Sequence, residues 1–263
     1  MDQIAEGVYR VPAKRANTYL VEAPKGLVLV DTGMPGSEKR ILQAVAKLGK
    51  QPSDIKLILL THRHLDHIGS SAFLKKESSA TLVSHPFEKP YVADTLVIIT
   101  PRAWSVFGRI ARRTLAVGSS MAKLLRLVKK YHPTFVDEVS DEESVLDPVG
   151  LDGSIVWTPG HTKGSVSLFL NKSRVAITGD LLSSKRGKLV MPMFMENPTQ
   201  TKASVQRIVD LHPTIICPGH GKPLSPSRIR LKETGMKPVV LEKKKQDEDI
   251  DLDDLAKDLT AEA

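Results

Sequence analysis

The sequence predicts a mixed α/β fold, and three observations carry that expectation. Short runs rich in Val, Leu and Tyr recur between Pro and Gly breakers at residues 8–12, 17–21 and 27–30. Ile41, Ala44, Val45 and Leu48 then fall at helical spacing and are followed by Gly49. The same strand-then-helix rhythm returns in the second half of the chain. Strands alternating with helices point to sheets covered by helices rather than to a bundle or an all-β sandwich.

The elements follow in order. The first three runs are separated by Pro12 and by Pro24-Lys25-Gly26, so they read as consecutive antiparallel strands. Asp31-Thr32-Gly33 ends the third. Residues 37–48 form a helix that Gly49 stops. Residues 55–60 are apolar except for Lys56, as a buried strand requires. A helix is expected over 71–76, a short strand over 81–84, and strands over 155–157, 166–170 and 175–178. Residues 204–211 read as a helix and Ile215-Ile216 as a last short strand.

Composition excludes several classes. The chain has 263 residues, 41% of them apolar and 26% charged, enough to bury a core without staples. No run reaches the roughly 18 apolar residues of a transmembrane helix. Asp2 and Glu6 interrupt the start of the chain where a secretory signal would be apolar. The single cysteine, Cys217, excludes an intrachain disulfide and a cysteine-rich zinc module. A cytoplasmic location is therefore the expectation.

The chemistry is concentrated in His62-x-His64-x-Asp66-His67, directly after the 55–60 strand. Residues two apart on an extended chain point the same way, so His62 and His64 can reach one ion. Asp66 and His67 lie where the chain turns into a helix and can face a second. Imidazole and carboxylate ligands at about 2.0–2.2 Å suit zinc, and iron and manganese accept the same donors. Three single residues fit alongside: His161 in Pro159-Gly160-His161, Asp180 in Thr178-Gly179-Asp180 and His220 in Pro218-Gly219-His220-Gly221. His161 and His220 are expected just after strands and Asp180 at a strand end, each beside a glycine that permits a tight turn.

With these residues in this order, the sequence resembles the metallo-β-lactamase-fold hydrolases over about residues 8–221. His62, His64, Asp66, His67, His161, Asp180 and His220 match the metal motifs of that superfamily, and Asp31 matches an acidic residue that usually closes its third strand. The resemblance implies a four-layer αβ/βα sandwich of two mixed β-sheets with helices outside and metals at one edge. It implies two divalent ions, with zinc the first choice and iron or manganese the alternatives. His62, His64 and His161 would hold the first, Asp66, His67 and His220 the second, and Asp180 would bridge them. Asp66 and Asp180 are then the catalytic carboxylates around a metal-bridging hydroxide.

Departures from known branches of the family narrow the activity. True zinc β-lactamases lack the bridging Asp. Glyoxalase II-type enzymes carry a Gly-Cys-Gly-Arg-like stretch after it, whereas residues 181–188 here read Leu-Leu-Ser-Ser-Lys-Arg-Gly-Lys. The acyl-homoserine lactonases place a Tyr just after the bridging Asp, and all four Tyr here precede His161. The extra motifs of tRNA 3′-processing nucleases are missing. The expectation is a glyoxalase II/lactonase-like hydrolase of a small ester, thioester or lactone. The alternatives are a phosphodiesterase or nuclease of the same fold, or an iron-dependent persulfide dioxygenase-like oxidoreductase.

Charge divides the chain. The formal net charge is +8, but residues 242–263 hold four Lys against nine Asp or Glu. Residues 95–136 hold eight Lys or Arg and no acid. The organisation expected is a hydrolase domain over 1–238, with a helical lid inserted at about 86–139, and a charged, flexible tail over 239–263. Trp104, Phe107, Val117, Met121 and Leu125 would form the lid's apolar side, facing the domain body or a substrate. A small-molecule substrate is the expected partner. Basic faces on the lid suit an anionic membrane surface better than nucleic acid, because no stacking aromatics are interleaved with the charges. The oligomeric state stays open, a homodimer included.

Overall fold

The computed structural model describes residues 1–93, 131–137 and 143–231. The body of the expected lid, with Trp104, Phe107, Val117, Met121 and Leu125, lies outside the described residues, as does the 239–263 tail. Among the described residues no helix is long and apolar enough to cross a membrane.

Two sheets form the centre. The first joins β1 (Asp2–Ala5), β2 (Val8–Pro12), β3 (Asn17–Ala23), β4 (Gly26–Val30), β5 (Ile55–Leu59) and β6 (Thr81–Val83) in sequence order. Its first four strands are antiparallel, and β5 and β6 continue it in parallel. The crossovers carry α1 (Glu38–Lys47), α2 (Leu65–Ile68) and α3 (Ser71–Ser78). A short helix, α4 (Lys89–Ala93), follows the 3-10 turn Pro86–Glu88. The second sheet orders β10 (Lys188–Val190), β9 (Val175–Lys185), β8 (Val166–Leu170) and β7 (Gly153–Trp157), with β11 (Ile215–His220) parallel to β9. Helix α5 (Pro198–Asp210) connects β10 to β11.

Alternation along the strands sorts side chains into layers. In β4, Val28 and Val30 face the second sheet, while Leu27 and Leu29 face the helices of the first. Leu57 and Leu59 of β5 join Val166, Leu168, Leu170, Val175, Ile177 and Cys217 in the core between the sheets. Ile41, Ala44 and Val45 of α1 and Leu74 of α3 cover the outer face of the first sheet. Val205 and Ile208 of α5 cover Phe169, Ala176 and Ile216 of the second. The result is the four-layer αβ/βα sandwich of two mixed sheets that the family resemblance implies. Each fully buried Leu, Ile or Val contributes about 1.5–3 kcal/mol, so these three clusters dominate the stability of the sandwich.

Several elements differ from their sequence-based expectations. Strand β1 was not anticipated: Asp2-Gln3-Ile4-Ala5 is polar and only partly buried, and its pairing with β2 at the sheet edge makes it a strand. The last helix begins six residues before the expected Ser204. Asn197 caps it by accepting from the backbone N–H groups of Thr199 (3.1 Å) and Gln200 (3.0 Å), with Pro198 in its first turn. Its polar first turn has no apolar period to read. Strands β9 and β11 run past their expected ends, which relocates two site residues, and β10 was not anticipated.

Candidate metal centre

All seven predicted ligand residues converge on one edge of the sandwich, in two groups. His62, His64, His161 and Asp180 form one, and Asp66, His67 and His220 the other; within each, candidate ligand atoms lie within 4.8 Å of one another. His62 and His64 sit on the segment after β5, as expected, and Asp66 and His67 lie in the one-turn α2. His161 occupies the turn after β7. Asp180 and His220 depart from expectation. Asp180 lies inside β9 rather than at its end, because β9 runs on to pair with β10. His220 is the last residue of β11 rather than beyond it. Both fall where the β9–β11 register is irregular, which turns Asp180 out of the regular ladder toward the histidines. Gly179, with φ of 48°, lets β9 pass against Thr61, where a Cβ would meet the hydroxyl at 2.5 Å.

Asp180 stands between the two groups. Its Oδ2 is 3.5 Å from His161 Nε2, 4.0 Å from His62 Nε2 and 3.2 Å from His220 Nε2. Its Oδ1 is 3.3 Å from His67 Nε2. His220 Nε2 is in turn 3.5 Å from Asp66 Oδ2.

The outer nitrogens of the histidines are assigned by their neighbours. His161 Nδ1 donates to the Phe194 carbonyl at 2.6 Å, and His220 Nδ1 to the Arg15 carbonyl at 2.8 Å. His67 Nδ1 donates to Asp31 Oδ2 at 2.6 Å. His62 Nδ1 lies 3.0 Å from the Thr61 hydroxyl, which donates to Asp31 at 2.8 Å. In each case the hydrogen bond at Nδ1 turns Nε2 inward, the orientation metal ligation requires.

The inward-facing atoms fit cations. His62 Nε2, His64 Nδ1 and His161 Nε2 face one another at 2.9–3.2 Å. Three nitrogens about 2.05 Å from one tetrahedral zinc would stand about 3.3 Å apart, so these lone pairs are spaced as ligands of one ion. Among the described residues, the buried side-chain polar atoms without a hydrogen-bond partner include His67 Nε2 and Asp180 Oδ1. Buried polar atoms are rarely left unpaired, so two of them aimed at one spot mark a place for a ligand.

Electrostatics sort the histidines. Burial holds His62, His64 and His161 below the usual histidine range, and neighbouring histidines push His62 and His64 the same way. Burial opposes charge on His67 too, but Asp31 and Asp180 outweigh it and hold its pKa well above that range. The hydrogen bond to Asp180 raises that of His220. Burial disfavours charge on Asp180, yet His67, His220 and His62 keep its carboxyl well below the usual carboxylate range. The first group is thus a neutral donor set beside one anion.

Sequence reasoning missed the parts that hold the ligands. Asn17 Nδ2 donates to the carbonyls of Pro218 (2.9 Å) and Gly221 (2.7 Å), and the Tyr19 hydroxyl donates to Pro218 at 2.7 Å. These bonds moor the His220 end of β11 to β3 of the other sheet. Glu88, Glu196 and the carbonyls of Arg15 and Phe194 were also not singled out. Backbone acceptors leave no trace in a sequence, and the glutamates lie far from the motifs they touch.

Comparison with known proteins agrees with this geometry. The "Metallo-beta-lactamase superfamily" model matches residues 11–220. The chain is 28% identical over 252 residues to the "Probable metallo-hydrolase YflN" of Bacillus subtilis, covering 87% of this chain and 89% of that relative. Two solved structures share the fold at lower identity. One is TTHA1623 in a di-iron-bound form, with TM-score 0.58 and 23% identity, covering 83% of this chain and 93% of that one. The other is the class B3 di-zinc metallo-beta-lactamase LRA-12 from an Alaskan soil metagenome, with TM-score 0.58 and 20% identity, covering 82% and 76%. With the family model spanning all seven site residues, the chain belongs to the metallo-beta-lactamase superfamily of metal-binding hydrolases.

Proposed function

We propose that this protein is a dinuclear metallo-hydrolase that opens a small ester, thioester or lactone. His62, His64 and His161 would hold one divalent ion, Asp66, His67 and His220 the other, with Asp180 between them. Zinc is the first choice for this imidazole and carboxylate set, with iron or manganese as alternatives. Solved structures of the same fold include a di-zinc and a di-iron form. Bound dications would supply an ionised water near neutral pH and polarise the attacked carbonyl.

One observation carries the choice of site and approach. In the three-histidine group His62 and His161 are buried and His64 half-buried, whereas in the other group the side chains of His220 and Asp66 remain 34% and 24% exposed and only His67 is buried. Substrate therefore reaches the centre from the Asp66–His220 side, and the three-histidine site is the deep one. Asp66, partly exposed at that opening, would orient a water and accept its proton, while the buried Asp180 stands between the two groups. A neutral carbonyl is favoured over a phosphodiester because Arg63, the cation inside the first motif, is already paired with Glu88 and Glu196.

A substrate panel tests the assignment. Aryl esters, lactones, thioesters, a bis-aryl phosphate and a low-molecular-weight persulfide with dioxygen are offered to the zinc, manganese and iron forms. Chelator-sensitive turnover of the carbonyl substrates is expected. Turnover of the phosphodiester alone would replace the reading with a phosphodiesterase, and sulfur oxidation by the iron form alone with a persulfide dioxygenase.

A further inference from the structure

Glu88 is an acid with no exposed surface in the turn Pro86–Glu88, outside every metal motif. Its carboxylate gathers donors from two separate loops. Oε2 accepts from the backbone N–H of Arg63, the residue between His62 and His64, at 2.8 Å. Oε1 accepts from the backbone N–H of Gly164, three residues after His161, also at 2.8 Å. Oε1 also takes Arg63 Nη1 at 3.1 Å.

Arg63 extends the connection. On an extended segment its side chain points away from those of His62 and His64. Its guanidinium lies 4.0 Å from the centre of the Tyr91 ring and pairs with Glu196 as well as Glu88. Glu196 belongs to the loop whose Phe194 carbonyl holds His161 Nδ1, and its own N–H donates to the His161 carbonyl at 3.2 Å. Every protein segment that presents a histidine to the deep site therefore meets at Glu88 or at its Arg63 partner.

A buried carboxylate is costly to desolvate, and replacing a buried ion pair by apolar groups is often neutral or stabilising. Stability alone is thus a weak reason for an acid here. We propose that Glu88, with Arg63, is the positioning hub of the three-histidine site. Its carboxylate sets the separation between the His62–His64 segment and the His161 turn, and thereby the affinity of that site for a divalent ion. The inference rests on the metal-site reading above. The mechanism is geometric: three nitrogens bind one ion tightly only if their loops are held at ligand spacing before it arrives.

Zinc binding to the full chain tests this. Glu88→Gln keeps size and one acceptor but turns an NH2 toward one of the two backbone N–H donors. Competition with a chromophoric chelator should show two zinc ions bound by the parent. In Glu88→Gln one of the two should bind about 10–100-fold more weakly, the usual effect of losing a partner that orients a ligand. The rise in Tm on adding zinc should shrink accordingly. A structural role alone would lower Tm equally with and without zinc and leave both affinities unchanged, and that result overturns the proposal. Arg63→Lys leaves the backbone contact intact and removes the planar fork. It should give a smaller loss at the same ion, and unchanged affinity there overturns the proposal even if Glu88→Gln does not fold. A parent that binds no zinc, iron or manganese would instead overturn the metal-site reading itself.

Discussion

The Asp31 carboxylate lies 2.6 Å from His67 Nδ1, on the side of the imidazole opposite Asp180. The same carboxylate receives the Thr61 backbone N–H at 2.8 Å, and the Thr61 hydroxyl links it to His62. One buried acid thus orients a histidine in each group.

Asp31→Asn separates this orienting role from folding. Asp31 has φ of 60°, a left-handed conformation that Asn tolerates, so the backbone needs no change. The amide cannot accept at both oxygens' positions, and His67 is freed to turn. Zinc affinity should fall about 10–100-fold while the circular dichroism spectrum is retained. Unaltered affinity would show that Asp31 only supports the turn.

Asp180→Asn should keep much of the bound zinc and lose most turnover. Three histidines remain for the deep site, and Asp66, His67 and His220 remain for the other. The neutral amide no longer balances the charge of two dications. Metal content and steady-state rates on one preparation check this; wild-type turnover at full occupancy would mean that the two groups act independently.

Gly219→Ala tests how tightly β11 is packed against the centre. A Cβ at Gly219 would fall 2.3 Å from Asp180 Oδ1 and 2.6 Å from His67 Cε1. Ile216 and Cys217 keep the strand anchored in the cores on either side of the second sheet. The variant should fold but show little rise in Tm with zinc. A rise equal to that of the parent would refute the packing argument.

His85, outside the candidate ligand set, gives a pH dependence of its own. Its ring stacks between Phe87 and Trp157, with centroids 5.0 and 5.5 Å away, and burial pushes its pKa down from 6.5 to about 4. The unfolded chain therefore takes up this proton at a higher pH than the folded one. The stability contributed by neutral His85 is present above about pH 6.5 and is lost as pH falls toward 4. Discounted for partial exposure, the loss should be on the order of 1–2 kcal/mol. Urea midpoints of chelator-treated parent and His85→Gln, compared at pH 7.5 and 4.5, should converge on acidification. Parallel changes in the two proteins would assign the acid loss elsewhere.

The first cluster of candidate ligands was legible in the sequence because it is written locally, and the layer order through the family resemblance that those residues carry. His62, His64, Asp66 and His67 fall within six residues, and Val28 and Val30 alternate with Leu27 and Leu29 whatever lies across the sheet. Strand limits were less legible. β9 and β11 run past the expected ends because pairing partners, not side-chain character, decide where a ladder stops. Only the tertiary structure decided which nitrogen of His67, His161 and His220 faces inward. That choice belongs to the carbonyls of Arg15 and Phe194 and to Asp31. It also decided that Glu88, 25 positions from Arg63 and 76 from Gly164, joins both loops of the deep site. A lone glutamate reads as a surface charge in a sequence, and it becomes a hub only when the fold removes it from water and surrounds it with donors.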